Sequence, residues 1–416
     1  MMKRISMKYA LLTFIFITFF RLFIYPNLKQ KQKEIFIDEF VNRSSQDTII
    51  SPDGIQSQIT LAVVLSLAND LSHIAEFHLL YESWRFIQNF SPLSDGVLID
   101  LIVFCEQPSC SRLPSSCLPL STQTHLDRTS KCFYEELKVE IVDEWRNYLY
   151  MTSIAFMLTE EYRRSMKFYQ WILRVDQDAL LSPALYFGLK QQHSIPLYKM
   201  QFGGIPHGIE FTDQRLKEIA HKLGYKHAGV HNLCSTWLVS PNDSIQLANL
   251  TTKIGKHFLL NEFGRHVQGL EDIPNEGEWP KWWFGVISLY AADIAINHFY
   301  FYQLTSQHGT EALDHAADST SSIWSAWQIH CLHNPQPFSK FEHRDHLNAF
   351  LNKTSEEQTE MAKNIEQTQL ILTKTIDEYH QFDQRKRQFT GTVTVRDYVT
   401  ALAWQKAYSA TGAISY

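Results

Sequence analysis

The sequence predicts an α/β protein with a mostly parallel sheet covered by helices on both faces. Continuous apolar runs alternate with stretches of helical periodicity, and a pair of aspartates directly follows one of the runs. Strands buried on both faces are apolar throughout, and their alternation with helices is typical of a doubly wound sheet. Composition agrees, because 44% of the 416 residues are hydrophobic, which is enough for a large core.

The N-terminus predicts a membrane anchor. Residues 9–25 (YALLTFIFITFFRLFIY) are apolar except for two threonines and Arg21. A helix of this length spans roughly 25 Å, close to the thickness of a thin bilayer. No small-residue cleavage site follows, which favours an uncleaved signal anchor over a removed signal peptide. We therefore expect a cytoplasmic tail at 1–8, a transmembrane helix at 9–25 and a polar stem at 26–57.

Cysteines and glycosylation sequons favour a lumenal body. Four of the six cysteines fall within 105–132, which suits disulfides in an oxidising compartment. Their spacing fits no zinc pattern, and the pairing stays open. Asn-x-Ser/Thr sequons begin at Asn42, Asn89, Asn242, Asn249 and Asn352. We expect a single-pass type II glycoprotein of the Golgi or ER membrane with its folded domain in the lumen.

The folded domain is predicted at 58–350. QITLAVVLSLAND at 58–70 and VLIDLIVFCE at 97–106 have the pattern of buried parallel strands. A helix is predicted between them and a second one at 153–167, followed by a strand at 169–175. The apolar stripe of the first helix consists of Ile74, Phe77, Leu80, Tyr81, Trp84 and Ile87.

Two aspartates stand at the end of the strand at 169–175. Arg174, Asp176 and Asp178 are spaced by two, so their side chains share one face of an extended chain. Ligands of α/β sheets bind beyond the carboxyl ends of the strands. Adjacent carboxylates repel one another unless a cation stands between them, and oxygen ligands suit Mg²⁺ or Mn²⁺, which would hold a diphosphate. The alternative is an Arg174–Asp176 ion pair with Asp178 starting a turn.

The segment VDQDA resembles the D-x-D motif of GT-A glycosyltransferases, in which the acidic pair binds the metal and a nucleotide-diphosphate sugar. Three further stretches are similar to a family of largely uncharacterised GT-A-like type II membrane proteins with a domain of unknown function. They are NLCSTWLVSP from Asn232, WPKWWFGVISLYAADIAINH from Trp279 and IHCLHNPQPFSKFEH from Ile329. The resemblance implies a Rossmann-type, GT-A-like fold and transfer of a sugar to a glycan or glycoprotein acceptor.

The same resemblance implies further ligands for the metal and the donor. The family pattern takes a third metal ligand from a late histidine and a diphosphate contact from a nearby lysine, which His330, His333 and Lys340 resemble. The chain has HNPQPFSKF in place of the family's glycine and Lys-Pro-Trp, so the choice of histidine stays open. With Arg174, we add Asn69, at the end of the first strand, as a donor-binding candidate.

Aromatic and acidic residues predict an acceptor site. Trp237, Trp282 and Trp283 would stack on sugars, with core or interface packing as the alternative. Asp293 lies among Ala and Ile residues, where a carboxylate needs a partner or a function. Asp293 and Glu278 are the candidates for the base of an inverting reaction, whereas a retaining reaction would not need it in that place.

The C-terminal part, 351–416, is predicted to be a helical extension. Residues 354–383 have amphipathic spacing, which favours packing on the same chain or on a second copy in a homodimer. TGTVTV, at 390–395, has the pattern of a short strand.

Other functions fit less well. The net charge of −6 and the scattered Lys and Arg residues argue against a nucleic-acid partner. A haloacid-dehalogenase-type phosphatase would place Thr or Val two residues after the second aspartate, where Leu180 stands. A non-catalytic, membrane-anchored carbohydrate-binding protein on the same fold is the remaining alternative.

Overall fold

Strands and helices alternate along the described part of the computed structural model. That part comprises residues 59–90, 97–123, 129–137, 145, 148–194, 200–203, 209–233, 235–264, 276–306, 309–330, 355–381 and 391–409. The strands are β1 Ile59–Leu67, β2 Val97–Cys105, β3 Leu118–Pro119, β4 Cys132–Glu136, β5 Trp171–Arg174, β6 Ala179–Leu181, β7 Gln201–Gly203, β8 Trp237–Val239, β9 Gly309–Thr310, β10 His315–Ala316 and β11 Gln328–His330. The α-helices are α1 Leu71–Ile87, α2 Thr152–Ala155, α3 Glu160–Met166, α4 Ala184–Ser194, α5 Glu210–Lys222, α6 Pro241–His257, α7 Ile287–Phe299, α8 Ser355–His380 and α9 Val395–Ser409.

Within these residues a central sheet runs in the order β3-β4-β2-β1-β5-β8-β7-β9, and a small sheet in the order β10-β11-β6. Strands β1, β2, β4 and β5 are parallel, and β8 runs antiparallel to both β5 and β7. The prediction of an α/β fold with a mostly parallel sheet and flanking helices is therefore confirmed.

The central sheet is buried on both faces because alternate residues of each strand point to opposite sides. In β1, Leu61, Val63 and Leu65 face one apolar cluster, which also contains residues of α1, α4, α8 and α9. Ala62 and Val64 face a second cluster with residues of α3, α5, α6 and α7. Burying one such Val or Leu side chain contributes roughly 1.5–3 kcal/mol, which explains why these strands are apolar throughout.

Two predicted elements differ from the structure. The helix predicted at 153–167 is divided, because Thr159 is extended (φ −68°, ψ 155°) and its hydroxyl accepts a hydrogen bond from the Tyr162 backbone N–H to begin α3. The predicted TGTVTV strand is wrong, since Val395 already belongs to α9. There the Thr394 hydroxyl accepts a hydrogen bond from the Asp397 backbone N–H (3.1 Å), which caps the helix.

The C-terminal helices pack on the sheet-bearing part of the same chain, which is one of the two arrangements expected for them. Leu372 of α8 and Tyr398 of α9 belong to the same cluster as β1. The Tyr398 hydroxyl donates to the Leu181 carbonyl (2.9 Å), and the Tyr379 hydroxyl donates to the Phe90 carbonyl (3.0 Å).

The Cys105–Cys110 disulfide joins the end of β2 to the loop after it, and the Cys117–Cys132 disulfide joins the residue before β3 to the first residue of β4. Cys234 and Cys331 lie outside the described residues. Among the residues that are described, no helix combines the length and the apolarity needed to cross a membrane. The predicted tail, anchor and stem, 1–57, lie outside them.

Candidate functional site

The pairing of β6 with β11 places His330 beside the acidic pair. Asp176 and Asp178 lie in the turn between β5 and β6. Strand β11 pairs antiparallel with β6, with His330 opposite Ala179. The imidazole of His330 therefore lies beside the carboxylate of Asp178, although 152 positions separate the two residues in the sequence.

Asp176, Asp178 and His330 form a compact set of metal-ligand atoms. One ligand atom from each residue lies within 4.8 Å of the others. His330 Nε2 is 3.2 Å from Asp178 Oδ2. The Asp178 side chain is 5% exposed and that of Asp176 27% exposed, so the first carboxylate is buried and the second half-buried. Two carboxylates and one imidazole suit Mn²⁺, and the oxygens also suit Mg²⁺.

The carboxylate of Asp314 faces the Nδ1 edge of the His330 ring, opposite the edge that faces Asp178. Its Oδ1 lies 3.7 Å from His330 Nδ1, and its carboxylate accepts hydrogen bonds from the hydroxyls of Ser235 and Thr236. A β-carbon on Gly203 would collide with this carboxylate, which explains why glycine occupies that position. A carboxylate behind a histidine fixes the ring orientation of metal-binding histidines in general, with the far nitrogen aimed at the metal.

The charges of the site are strongly coupled. Burial would lower the pKa of the His330 imidazole, but the carboxylates of Asp178 and Asp314 outweigh burial and raise the pKa well above its usual value. Burial would likewise raise the pKa of Asp314, yet hydrogen bonds from His330, Ser235 and Thr236 lower it. For Asp176, burial raises the pKa, and the opposing effects of Arg174 and His330 do not cancel that rise.

Arg174 forms a buried ion pair that positions Asp176. Its side chain is 3% exposed and lies 2.7 Å from Asp176 Oδ1. The guanidinium also donates to the Ser235 carbonyl and to the carbonyl and hydroxyl oxygens of Ser153. The role of Arg174 in binding the donor stays a prediction, since these contacts occupy the two terminal nitrogens while Nε has no hydrogen-bond partner among the described residues. The ion pair considered as an alternative is present, and it coexists with the metal-ligand geometry.

The rings of Tyr148 and Tyr150 lie 5.6 Å apart between their centroids. Burial raises the pKa of the Tyr148 hydroxyl to about 12 against the lowering effect of its hydrogen bonds with Ser288, and the charges of Tyr150 and Asp176 add to the rise. The Tyr148 hydroxyl donates to the Gly285 carbonyl (3.1 Å), and the Trp283 indole packs over Gly285. Tyr150 and Trp283 are 63% and 37% exposed, so both offer ring surface to solvent.

Two of the predicted acceptor-binding tryptophans are core residues. Trp237 and Trp282 are fully buried, and Trp282 stacks between Tyr290 and Phe263 at centroid distances of 4.5 and 5.2 Å. Neither indole has a free face for a sugar, so the acceptor role predicted for these two is wrong, and the alternative of core packing applies. Trp283 alone of the three is exposed.

Among the described residues, Glu278 and Asp293 do not belong to the metal-ligand group of Asp176, Asp178 and His330. Asn69 is exposed, and its backbone N–H donates to the Glu106 carboxylate (3.3 Å). Glu278 is exposed in the turn before Lys281. Asp293 is fully buried, with Oδ1 3.0 Å from His227 Nε2, which keeps it from an acceptor in solution. His333 and Lys340 lie outside the described residues.

A family model described as a domain of unknown function, DUF7164, matches residues 55–416. The chain belongs to the DUF7164 family. No curated protein matches it. Among solved structures, the apo structure of the bifunctional glycosyltransferase WbbM is 10% identical, with 47% of this chain and 35% of that chain covered and a TM-score of 0.26. So low a TM-score supports no common fold or activity, and the match spans about a third of that protein. The DUF7164 match continues through the predicted boundary at 350 without a break.

Sequence reasoning missed several residues of this DUF7164 domain. Asp314 lies in a loop and adopts a positive φ of 53°, and no local pattern links it to His330. Tyr148 precedes a short turn, again without a motif. His227 and His231 did carry a signal, because HAGVH has the H-x₃-H spacing that is typical of metal sites. In the structure these two histidines form a second group with Asp293.

Proposed function

We propose that the protein is a metal-dependent glycosyltransferase that moves a sugar from a nucleotide-diphosphate donor to a glycan or glycoprotein acceptor. The observation that carries the proposal is the convergence of Asp176, Asp178 and His330, with ligand atoms within 4.8 Å of one another. They meet just beyond the carboxyl end of β5 in a mostly parallel sheet, where α/β proteins bind ligands. GT-A-like architecture is part of the same proposal.

Mn²⁺ or Mg²⁺ at these three residues would stabilise negative charge on the departing nucleoside diphosphate. Asp176 and Asp178 offer carboxylate oxygens, and His330 offers Nε2. Asp314 keeps the ring in place, and Arg174 keeps the Asp176 carboxylate beside the sheet end. In this proposal Lys340 and Asn69 remain candidates for contacts to the donor.

The acceptor side of the proposed site is the surface formed by Tyr150 and Trp283. Exposed indole and phenol rings stack on the C–H faces of sugars, and Tyr148 links the two rings, because it lies beside Tyr150 and its hydroxyl donates to Gly285, over which Trp283 packs. Glu278 is the better of the two candidate bases, since it is exposed whereas Asp293 is fully buried. Whether the anomeric configuration is inverted or retained stays open.

The proposed setting is the lumen of the Golgi or ER, with residues 9–25 as a type II anchor. Support comes from the Cys105–Cys110 and Cys117–Cys132 disulfides, which persist in oxidising compartments and are rare in the cytosol. Homodimers and contact with the membrane through the anchor belong to the same proposal, and no nucleic acid is involved in it.

The decisive experiment is a donor screen. The purified protein is incubated with UDP- and GDP-sugars with Mn²⁺, with Mg²⁺ or with EDTA, and release of the nucleoside diphosphate is measured. The wild type is compared with Asp178→Asn, which keeps the size of the side chain and removes its charge. Glu311→Gln is the matched control, because Glu311 is an exposed acid three residues before Asp314.

We expect hydrolysis of at least one donor that depends on the metal, survives in Glu311→Gln and falls at least about 100-fold in Asp178→Asn. No hydrolysis of any donor, or hydrolysis that persists in Asp178→Asn, would refute the transferase. Binding to a glycan array without donor turnover would instead favour the carbohydrate-binding alternative.

A further inference from the structure

A second group of potential metal ligands lies between α5, α7 and the loop 225–231. These elements contribute to the apolar cluster that contains Ala62 and Val64. Asn297 of α7 holds this loop through two reciprocal hydrogen bonds. Its Nδ2 donates to the Val230 carbonyl (2.7 Å), and its Oδ1 accepts from the Val230 backbone N–H (3.2 Å). Asp293 lies one helical turn before Asn297, so its carboxylate faces the same loop.

His227 fixes one oxygen of Asp293. The Nδ1 of His227 accepts a hydrogen bond from the Gly229 backbone N–H (3.0 Å), so the neutral ring carries its proton on Nε2. That nitrogen is 3.0 Å from Asp293 Oδ1 and donates to it. Gly229 has φ +79°, which lets the loop turn back on His227. In this tautomer His227 orients the carboxylate and has no lone pair for a metal.

His231 occupies a different position. Both of its ring nitrogens are buried and have no hydrogen-bond partner among the described residues. Its Nδ1 is 3.5 Å from Asp213 Oδ1 of α5 and 3.9 Å from Asp293 Oδ2 of α7. These separations are too long for good hydrogen bonds. Ligands about 2.1 Å from a tetrahedral metal lie about 3.4 Å apart, which is close to the separation from Asp213, whereas binding would draw His231 and Asp293 closer together.

We propose that His231 Nδ1, Asp293 Oδ2 and Asp213 Oδ1 bind a divalent transition-metal ion such as Zn²⁺. One imidazole and two carboxylates are ligands that Zn²⁺ accepts, and three protein ligands leave the fourth position to water. His227 supports the site by holding the other Asp293 oxygen, as partners of metal ligands commonly do. This inference does not depend on the proposed transferase activity, since none of its three ligands binds the metal of the first site.

A bound ion would link two helices and a loop that are separate along the sequence. Asp213 belongs to the first turn of α5, His231 to the loop before β8, and Asp293 to the middle of α7. An ion bound only by the folded state stabilises it by mass action. The proposal therefore predicts both binding and a rise in the melting temperature.

The test is Zn²⁺ binding to the full chain, purified in detergent and stripped with EDTA, in the Asp178→Asn background that removes the first site. Binding is measured by equilibrium dialysis, and Co²⁺ substitution reports the ligand geometry through its visible absorption. The variants are Asp213→Asn, whose carboxylate is 40% exposed, and His231→Gln. His221→Gln is the matched control, because His221 is an exposed histidine on α5.

We expect one equivalent of Zn²⁺ in the Asp178→Asn background and in His221→Gln. The dissociation constant should rise at least about tenfold in Asp213→Asn and in His231→Gln, as even partners of ligands cause losses of that size. Zn²⁺ should raise the melting temperature of the background protein and not that of His231→Gln. No Zn²⁺ bound in the background, or equal affinity in Asp213→Asn, would overturn the proposal. If His231→Gln does not fold, Asp213→Asn decides.

Discussion

At the residue scale, Asp314 determines how His330 meets the acidic pair. The Asp314→Asn substitution keeps the shape of the side chain and removes the charge that faces His330 Nδ1. We expect Mn²⁺ affinity to fall about 10- to 100-fold, the usual effect of losing the partner of a metal-binding histidine. Isothermal titration with Mn²⁺ measures this, with Glu311→Gln as the unchanged control. Equal affinity in Asp314→Asn would show that His330 needs no such support.

Glu262 is a buried carboxylate whose contribution to the free energy of unfolding depends on pH. It is 2.6 Å from Arg215, 3.2 Å from His257 and 3.6 Å from Lys222. Burial would raise its pKa, but the hydrogen bond from His257 and the charges of Arg215 and Lys222 outweigh burial and lower the pKa below its ordinary value of 4.5. A depressed folded-state pKa contributes stability above the unfolded-state value, and that stability is lost as pH falls through the folded value.

The Glu262→Gln substitution should therefore lower the free energy of unfolding by about 1–3 kcal/mol at pH 7. The difference from the wild type should begin to shrink as the pH falls through 4.5, where the unfolded state takes up the proton, and should disappear below the lower pKa of the folded state, where Glu262 is protonated in both states. Urea unfolding at several pH values measures this. The matched control is Glu218→Gln on the exposed face of α5, and a difference that does not change with pH would contradict the assignment.

At the scale of elements, local patterns predicted the long, regular parts. Strands β1 and β2 and helix α8 follow directly from apolar runs and helical spacing. The division of α2 from α3 was missed because it depends on the backbone of one residue, Thr159. All three residues of the candidate metal site were named from the sequence, because D-x-D is local and the family resemblance offered His330 as one of two histidines. The contacts of Asp314 and the burial of Trp237 arise from pairing between distant segments, which no local pattern reports.

One glutamate links α8 to the segment that enters α9. The Glu378 carboxylate accepts hydrogen bonds from the Thr392 backbone N–H (2.6 Å), the Val393 backbone N–H (3.1 Å) and the Trp324 indole (3.0 Å). Glu378→Ala leaves these donors without their acceptor, so we expect the free energy of unfolding to fall by about 2–4 kcal/mol. Glu378→Gln, which keeps one acceptor oxygen, should lose less. Chemical denaturation of both variants measures this, and equal stability of Glu378→Ala and wild type would contradict it.

At the scale of the molecule, the candidate metal site lies where the central sheet meets the small one. Asp176 and Asp178 follow β5 of the central sheet, and His330 ends β11 of the small sheet. Strand β6 immediately follows Asp178. The Tyr398 hydroxyl of α9 donates a hydrogen bond to the Leu181 carbonyl of this strand (2.9 Å). The geometry of the site therefore depends on α9, more than 200 residues further along the chain.

Removal of residues 351–416 tests this dependence. The deletion takes Leu372, Val395, Tyr398, Val399 and Leu402 from the cluster that covers one face of β1. Each of these side chains contributes roughly 1.5–3 kcal/mol by burial, and together they rival the whole stability of a typical domain, about 5–15 kcal/mol. We expect the shortened chain to lose cooperative thermal unfolding and Mn²⁺ binding together, because β6 loses its support. Calorimetry and Mn²⁺ titration beside the full chain measure both. A shortened chain that unfolds cooperatively and binds Mn²⁺ normally would show that the C-terminal helices are a separable extension.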